Sequence, residues 1–445
     1  MKRIHLLFVA TYLAITLLHF VVAANSAVAS DSWSSFQNGG EVEVSAANVP
    51  TEWTPSSVAW KKELAGYGQS SPVIDGSRIY VTSTSGDMKE NLFVEAFDKT
   101  SGKRLWVHEA KNSSPAKNTT YVSRAAPTPV CDSSGVIALF EGGNIVALDR
   151  DGQPRWSRDL PAEFGAISSR HGLGSSLEHD DARVFAWIER DEDPFVMALS
   201  KETGETIWKV SGLGVTSWSS PRLVPVDNGK QLVLSGSGKI AGIDPRTGER
   251  LWEFEEISGN STPTPVPLGG GKFLIGASEG RGETGGGNAA ASNGVIRISK
   301  DAQGKFTVDF VWQAKKATSS FSSPVAHQGH AYFVNRAGVV YCLDIETGEE
   351  RYAERSSGSV WATPFAVEDR LYLFCKDGTT TVVRSGSKFE QLAENNLWIA
   401  KEQGESDNST GNFGGPVLYA AVAVDSQLIL RRGDILYAVG TISSN

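Results

Sequence analysis

The sequence is poor in cysteine and has no two cysteines side by side. Only three of its 445 residues are Cys, and Cys131, Cys342 and Cys375 are far apart, each within an apolar run. So small and odd a number excludes a disulfide framework, although Cys342 and Cys375 could be neighbours in space. We interpret all three as small buried residues of strands.

Segments of concentrated positive charge are also lacking. Lys and Arg number 42 against 51 Asp and Glu, which gives a net charge of −9. If residues 1–29 are removed, Lys2 and Arg3 leave and no acid does, so the balance becomes 40 against 51, or −11. Such a surface repels phosphate backbones, which argues against nucleic acid as a partner.

One long apolar run is present, from Ile4 to Ala24, directly after the basic N-terminal residues. Small residues follow at Ala27–Ala29. This layout predicts a signal peptide over residues 1–29. An uncleaved N-terminal membrane anchor is the alternative, because the run is almost long enough to span a bilayer. No Cys lies near the cleavage site, so a lipid-anchored N-terminal cysteine is excluded. We expect a periplasmic or secreted protein.

Signatures of the common enzyme classes are absent. There is no Ser-His-Asp hydrolase motif, no dinucleotide-binding fingerprint and no kinase motif set. The Gly-rich stretches Gly269–Gly271 and Gly280–Gly294 contain no phosphate-loop Lys-Ser/Thr pattern. Their composition indicates a flexible insertion.

What the sequence does contain is a repeat that ends in an aromatic residue. A core close to Asp-x-x-Thr-Gly precedes Trp106, Trp156, Trp208, Trp252 and Tyr352, and degenerate copies end at Trp312 and Trp398. Successive aromatics are 40 to 60 residues apart, the period of a four-stranded propeller blade. Asp bonds to nearby amides and Gly supplies positive φ, so the core predicts a tight hairpin. The aromatic can cover the interface between neighbouring blades.

A second recurring piece, a short strand, a turn and another strand, precedes each core. It begins at about Pro72, Pro129, Leu177, Pro221, Pro265, Pro324, Pro364 and Pro416. The eighth copy lacks an outer strand, and Val58–Leu64 can supply it. The sequence therefore predicts an all-β protein, an eight-bladed propeller of four-stranded antiparallel blades over residues 58–445, closed by its N-terminal strand. Residues 30–57 form an N-terminal extension. Seven blades are the alternative if one degenerate copy is not a blade.

The pattern Ala-x-Asp-x-x-Thr-Gly-x-x-x-Trp resembles the tryptophan-docking repeat of the pyrroloquinoline-quinone-type propeller family, over residues 58 to 440. That family includes quinone-dependent dehydrogenases and cofactor-free propellers, such as the lipoprotein of the outer-membrane β-barrel assembly machinery. For a dehydrogenase, the resemblance implies adjacent cysteines against the cofactor, an acidic residue and an Asn as Ca²⁺ ligands, and an Asp as general base. Adjacent cysteines and a Cys-x-x-Cys-His haem motif are absent.

The sugar-oxidising branch lacks the cysteine pair and stays open. Its basic groups and base would have to come from Arg124, Arg170 and His171 with residues 178–181, Glu-His-Asp-Asp. That acidic cluster could bind a cation, but we favour a solvated turn.

Two further sets of titratable residues could indicate a binding site. The acidic run Glu189–Asp193 is interpreted as a hairpin tip. His327 and His330 have a metal-ligand spacing but straddle a Gln-Gly turn without a third ligand nearby, so no metal site is predicted.

The residues three places before the repeat starts form one column, because the first strand of each blade lies nearest the channel. The column contains Gln69, Ala126, Gly174, Trp218, Thr262, Phe321, Trp361 and Phe413, which we call the mouth residues. Four are aromatic, and we expect a binding surface for a peptide, a sugar or a flat cofactor formed by Gln69, Arg124, Trp218, Phe321, Trp361 and Phe413. Alternatively, the rings only plug the channel.

These observations favour an exported, non-catalytic scaffold without cofactor or metal, similar to the cofactor-free outer-membrane assembly branch. Its partner would be an envelope protein or an extended peptide segment. We expect a monomer that is at most peripheral to the membrane. The alternative is an oxidoreductase that uses pyrroloquinoline quinone with Ca²⁺ and acts on a small alcohol or sugar.

Overall fold

The structure is a computed structural model that describes residues 32–40, 43–44, 48–118, 123–169, 171–278, 289–398 and 416–440. Three strands precede the first blade: β1 (Ser32–Trp33), β2 (Glu43–Val44) and β3 (Val58–Glu63). The one α-helix of the described ranges is α1 (Leu160–Phe164), and short 3-10 segments lie at Phe36–Gly40, Pro55–Ser57 and Ala289–Ser292.

Eight blades of four antiparallel strands form the ring, and β1 and β2 each add a fifth strand to one of them. Blades one to four contain β4 (Val73–Asp75), β5 (Arg78–Ser85), β6 (Asn91–Asp98) and β7 (Arg104–Lys111); β8 (Val130–Asp132), β9 (Gly135–Leu139), β10 (Asn144–Leu148) and β11 (Pro154–Asp159); β12 (Glu178–His179), β13 (Arg183–Ile188), β14 (Phe195–Ser200) and β15 (Thr206–Ser211); β16 (Arg222–Val226), β17 (Gly229–Gly236), β18 (Lys239–Ile243) and β19 (Arg250–Phe254).

Blades five to eight contain β20 (Val266–Gly269), β21 (Lys272–Ile275), β22 (Gly294–Lys300) and β23 (Phe306–Gln313); β24 (Val325–His327), β25 (His330–Val334), β26 (Val339–Asp344) and β27 (Glu350–Arg355); β28 (Phe365–Val367), β29 (Arg370–Phe374), β30 (Thr379–Arg384) and β31 (Gln391–Asn396); β32 (Leu418–Val424), β33 (Gln427–Arg432) and β34 (Ile435–Gly440). Strand β3 pairs antiparallel with β34 and completes the eighth blade. The predicted eight-bladed propeller, closed by the N-terminal strand, is confirmed.

In the described part of the chain, five outer-strand tryptophans each form a hydrogen bond to the next blade. The indole N–H of Trp106 donates to the carbonyl of Arg150 at 2.7 Å, and that of Trp156 donates to Lys201 at 3.0 Å. Trp208 and Trp312 dock in the same way on Pro245 and Ile345, at 3.0 and 2.8 Å, and Trp60 on Lys99 at 3.1 Å. Each acceptor lies in the turn between the third and fourth strands of the following blade. The hydrogen bond therefore fixes how one blade packs against the next.

Trp252 departs from this rule. Its indole N–H donates instead to Oε1 of Gln231 in its own blade, at 2.6 Å. The corresponding turn of the next blade, Asp301–Gly304, does not follow the Thr-Gly pattern. The departure thus falls at the degenerate fifth repeat.

A buried arginine holds the first and last blades together. Arg431 lies in β33, and its guanidinium donates to the Ser70 carbonyl and hydroxyl at 3.0 and 2.6 Å and to the Thr82 carbonyl at 2.6 Å. Both acceptors belong to the first blade, so the ring is closed by a polar contact as well as by β3.

Residues 32–40 and 43–44 lie inside the ring. Strand β1 pairs with β4 and strand β2 pairs in parallel with β28, the innermost strands of blades one and seven. Ser32 lies opposite Asp75, at the turn between the first two strands of its blade. We call the side of the ring with these turns the turn face, and the opposite opening the mouth. Strand β1 runs away from the turn face and strand β2 runs towards it. We call residues 32–40 and 43–44 the plug. Sequence reasoning had assigned it no structure.

The remaining features of the sequence fit this frame. All three cysteines are buried and unpaired, which agrees with their interpretation as packed residues of strands. Of the Gly-rich insertion, residues 279–288 lie outside the described ranges, as do residues 1–31 with the predicted signal peptide. No helix in the described ranges is both long and apolar enough to pass through a bilayer.

Candidate functional site

A cavity of about 160 Å³ lies at the mouth end of the channel. Seven mouth residues line it, one from each of the first seven blades: Gln69, Ala126, Gly174, Trp218, Thr262, Phe321 and Trp361. Phe413, the eighth, lies outside the described residues. The structure thus brings the predicted column together around one space, which we call the mouth cavity.

The rim of the cavity is aromatic on one side. The rings of Phe321 and Trp361 meet edge to face with centroids 5.3 Å apart. Phe321 is 47% exposed, which is unusual for so large an apolar side chain. Across the cavity, the Trp218 ring packs against His171 at 5.6 Å. The described rings thus pack against neighbouring side chains at the rim.

Hydroxyl groups form the wall just below the rim. The amides of Ser71 and Thr128 donate to the hydroxyls of Thr128 and Ser176, and the series continues through Ser220, Thr264 and Ser323, each bond being 3.0 Å long. Each residue belongs to a different blade and lies two places after a mouth residue. The small hydroxylated residue therefore satisfies the neighbouring blade's amide where the channel is narrowest.

The plug forms the floor of the cavity with Trp33, Phe36 and Gln37. Arg222 holds it: its guanidinium donates to the Phe36 carbonyl at 3.1 Å and to Oε1 of Gln37 at 2.9 Å. Gln37 has a φ of 54°, a left-handed conformation that non-glycine residues rarely adopt. Such strain persists only where surrounding contacts fix it, and here the contacts come from Arg222.

The charge of Arg222 is balanced by Glu178 at 3.2 Å, and both side chains are buried. Burial raises the pKa of Glu178 and lowers the pKa of Arg222, while each charge opposes the shift of the other. Burying such a pair costs desolvation free energy. In return, Glu178 keeps the Arg222 guanidinium in place, where it donates hydrogen bonds to the plug.

The solvated-turn interpretation of residues 178–181 is therefore wrong for its first two members. Glu178 pairs with Arg222, and His179 lies between the plug and Lys201, with its Nε2 atom 3.2 Å from the Ser34 hydroxyl and its Nδ1 atom 3.1 Å from Lys201 Nζ. Because Lys201 can only donate, His179 is neutral and carries its proton on Nε2. Asp180 does lie at the turn, where it pairs with Arg183 at 2.6 Å.

Glu189 also differs from its prediction as part of a hairpin tip. Its carboxylate is buried and accepts hydrogen bonds from the Trp187 indole at 2.7 Å and from the amides of Leu213, Gly214 and Val215 at 3.1, 2.7 and 3.1 Å. Burial raises its pKa, and these bonds oppose the rise. Glu189 thus orders the loop at residues 213–215, which follows the last strand of its blade. The run of charges alone did not indicate this contact.

Arg124, predicted at the mouth, is not part of the cavity wall. Its guanidinium lies over the Tyr67 ring, 3.8 Å from the centroid, and the Tyr67 hydroxyl is 2.7 Å from that of Tyr419, which does line the cavity. Arg124 therefore supports the wall from behind. Arg170, the other predicted arginine, lies outside the described residues.

His327 and His330 lie where the sequence placed them, paired across the β24–β25 hairpin. The His327 Nε2 atom is 2.6 Å from the Glu368 carbonyl, and the His330 Nδ1 atom is 2.8 Å from the Gln328 carbonyl. Both histidines are thus engaged in backbone hydrogen bonds.

The mouth cavity does not fit pyrroloquinoline quinone with Ca²⁺. Its described lining contains no Asp, Glu or Asn to bind the cation. The amide oxygens of its two glutamines are occupied, that of Gln37 by Arg222 and that of Gln69 by the Arg124 amide at 3.0 Å. The volume is also below the range of roughly 300–1,000 Å³ that encloses a small-molecule ligand. The volume of the mouth cavity better matches one or two side chains of a longer peptide segment.

Sequence reasoning missed the floor of this site. Trp33, Phe36 and Gln37 precede the repeats, and Gln37 lies 185 residues from Arg222 along the chain. The one available signal was the density of aromatic and amide residues just before the propeller.

Comparisons with known proteins find relatives of this chain. It is 28% identical over 192 residues to outer membrane protein assembly factor BamB of Escherichia coli (strain K12), and the alignment covers 43% of this chain and 44% of that protein. The matched part thus spans less than half the length of this curated relative.

The solved structures that share the fold include a BamB and an alcohol dehydrogenase. The crystal structure of BamB from Moraxella catarrhalis has a TM-score of 0.57 at 12% identity, covering 87% of this chain and 98% of that one. The quinohemoprotein alcohol dehydrogenase from Comamonas testosteroni has a TM-score of 0.60 at 12% identity, covering 95% and 82%. At this identity, the likeness concerns the fold alone.

The family match extends through the whole ring, over residues 35–186, 167–304 and 292–439. The chain therefore belongs to the family described as outer membrane protein assembly factor BamB.

Proposed function

We propose that this chain is an exported, non-catalytic scaffold protein of the cell envelope, which binds an extended segment of a partner protein at the mouth. The observation that carries the proposal is the mouth cavity, which has the plug as its floor and aromatic side chains at its rim, of which Phe321 is 47% exposed. Exposed aromatic side chains around a small cavity are typical of surfaces that bind a partner's side chain.

The family description supports a role in outer-membrane protein assembly. Its named members are assembly factors, and a scaffold that holds an extended segment suits such a task. The lack of Ca²⁺ ligands around the described cavity supports binding rather than quinone-dependent oxidation.

The proposal is tested by selecting peptides from a random library on the purified chain and measuring the affinity of a selected peptide by calorimetry. Phe321→Ala and Trp361→Ala remove the rim and should weaken binding at least about tenfold, as hot-spot aromatics do, with little change in melting temperature. Ile207→Ala is the matched control, because Ile207 is 49% exposed on an outer strand, close to the 47% of Phe321.

The opposite pattern would refute the proposal. If the rim variants melted much lower and bound the peptide unchanged, the rings would serve only to pack the channel. Export is tested separately: osmotic shock should release a processed chain whose mass corresponds to an N-terminus at Ser30, whereas an intact leader in the membrane fraction would contradict cleavage.

A further inference from the structure

Six described turns between the third and fourth strands of a blade contain a glycine of one conformation. Its φ lies between 65° and 80° at Gly102, Gly152, Gly204, Gly248, Gly304 and Gly348. At five of the six, a Cβ atom built on the glycine would lie 2.5–2.9 Å from a tryptophan ring carbon of the preceding blade. At Gly304 of blade five, nothing lies within 4 Å of such an atom. The tryptophan-docking place on blade five is thus uncovered.

The turn of blade five is nevertheless built like one that docks a ring. In both Asp149–Gly152 and Asp301–Gly304, Oδ1 of the Asp accepts two following amides, at 2.9 and 2.8 Å and at 2.9 and 2.9 Å. The glycine amide donates to the Asp carbonyl at 3.1 and 3.0 Å. In the first turn, the Arg150 carbonyl accepts the Trp106 indole. Ala302 has the equivalent place in blade five; it is exposed, and its carbonyl accepts no hydrogen bond from the described residues.

The ring that should cover this turn, Trp252 of blade four, lies elsewhere because of the residue opposite to it. Trp252 pairs across the strands with Gly242, and a Cβ atom built on Gly242 would lie 2.2 Å from the indole. The indole therefore packs onto its own blade, where it donates to Gln231. The five docked tryptophans lie opposite residues that do have a Cβ: Ala438, Ala96, Ala147, Ala198 and Val295.

A groove leads to the uncovered turn. It has a volume of about 1090 Å³ and lies at the turn face between blades four and five. Leu251 of blade four and Phe306 of blade five are half-buried in its lining, and Lys300 and Phe306 directly flank the turn. The acids of the described lining each pair with a cation of this chain: Asp227 with Lys300, Asp180 with Arg183, and Asp244 with Arg246. The described lining thus offers no free carboxylate for a basic segment.

We propose that blade five binds a tryptophan side chain of a partner protein, with the ring over Gly304 and the indole N–H donating to the Ala302 carbonyl. The contact would be made between two chains in the form that five tryptophans of this chain make within it. Tryptophan is enriched among the residues that dominate protein interfaces, and its ring and N–H suit such a place. The site lies on the side opposite the mouth, so the inference goes beyond the proposed function and gives the scaffold a second partner segment.

Two synthetic peptides of about ten residues, roughly 33 Å when extended, test the inference. Both consist of Ser and Gly around one central residue, which is fluorotryptophan in the first and fluorophenylalanine in the second. Fluorine NMR follows their titration with the purified chain. We expect the tryptophan peptide to bind at least about tenfold more tightly, because phenylalanine has no N–H to donate. Equal affinities, or no binding of either peptide, would overturn the inference and leave the proposed function standing.

A substitution at the turn makes the test specific to the site. Gly304→Ala places a methyl group where the ring must lie, so we expect at least about tenfold weaker binding of the tryptophan peptide. Gly329→Ala is the matched control: Gly329 has φ +76°, against +79° for Gly304, and nothing lies within 4 Å of a Cβ atom built on it. Equal weakening by both variants, or none by Gly304→Ala, would overturn the inference.

The site can also be filled from within the chain. Gly242→Ala supplies the Cβ that the docked repeats have, so we expect Trp252 to turn onto Gly304 and the tryptophan peptide to bind at least about tenfold more weakly. Full binding to this variant would contradict the claim that the two indoles share one site. A peptide selected at the mouth should not compete with the tryptophan peptide; competition would place both at the mouth and overturn the inference.

Discussion

The turns on which the tryptophan rings dock show why glycine recurs in the repeat. Beneath the docked ring of Trp156 lies Gly204, with φ +73° and a virtual Cβ only 2.5 Å from a ring carbon. The same relation holds for Gly248 under Trp208, with φ +78° and 2.9 Å. The glycine of the repeat is therefore required twice, for its backbone conformation and for the close approach of the indole.

The two requirements can be separated by substitution. Gly204→Ala should reduce the free energy of unfolding by about 2–4 kcal/mol, combining left-handed strain with overpacking against Trp156. Gly304→Ala is the control, because Gly304 has φ +79° but nothing within 4 Å of its virtual Cβ; it should lose only about 1–2 kcal/mol. Urea denaturation of both variants measures the difference, and equal losses would show that the ring contact contributes nothing.

Residue-scale prediction from sequence succeeded where contacts repeat. Trp106 and its counterparts could be assigned to blade interfaces because the same spacing recurs along the chain. Glu178, His179 and Glu189 were misjudged because each is buried by a segment that follows no periodic pattern. Ser34, which contacts His179, lies 145 residues away in sequence.

Among the elements, the closure between blades one and eight depends on an unusual arginine. Arg431 is completely buried, and burial lowers its pKa to about 10, so it is charged at neutral pH. Its hydrogen-bond acceptors among the described residues are oxygens of neutral groups: the Ser70 carbonyl and hydroxyl and the Thr82 and Gly433 carbonyls. Loss of the guanidinium leaves these carbonyls buried and unsatisfied.

Arg431→Met should therefore lower the free energy of unfolding by about 3 kcal/mol or more, since each orphaned buried acceptor costs about 1–3 kcal/mol. Arg384→Met is the matched control. Arg384 is 45% exposed and pairs with Asp369 and Glu390, and surface ion pairs contribute about 0–1 kcal/mol. Chemical denaturation followed by tryptophan fluorescence compares them; a larger loss in the control would refute the assignment of Arg431 to closure.

The plug is sensitive to pH through His179. Burial, with the neighbouring Lys201 charge, lowers the pKa of His179 to about 4, below its usual 6.5. The folded state then binds fewer protons than the unfolded state between pH 6.5 and 4, so stability is lost as the pH falls through this window and the loss is complete below about 4.

For one histidine, this shift corresponds to a loss of about 3 kcal/mol between pH 7 and 4. His179→Gln keeps an acceptor for Lys201 and a donor for Ser34 but does not titrate. The wild type should therefore lose about 3 kcal/mol more than the variant over this range, measured by urea unfolding at a series of pH values. Parallel curves would mean that His179 has the same pKa in the folded and unfolded protein.

For the molecule as a whole, the ring and its closure were predictable and the channel contents were not. Eight repeat starts and an unpaired last blade specify a closed propeller, because each repeat buries its faces only against its neighbours. Strands β1 and β2 have two residues each, too few for a pattern. Thus the mouth rim, with Phe321 and Trp361, could be predicted, but the floor at Gln37 could not.

The whole protein should not behave as a quinone enzyme. Mixed with pyrroloquinoline quinone and Ca²⁺, it should show no saturable change in the cofactor's absorbance and no rise in melting temperature, because the described cavity lacks Ca²⁺ ligands. Dye reduction by an alcohol or sugar would contradict this and make the chain an oxidoreductase. Calcium alone is the control for nonspecific stabilisation.

The path of the plug also determines how the molecule can be attached to a support. Ser32 lies opposite Asp75 at the turn face. Gly440, at the end of β34, lies next to Pro50, where the plug has left the channel. Both of these described residues therefore lie on the side away from the mouth. If the protein is attached to beads or a sensor surface through a group placed at Ser32 or Gly440, we expect the mouth to face outward and to stay accessible to soluble partners.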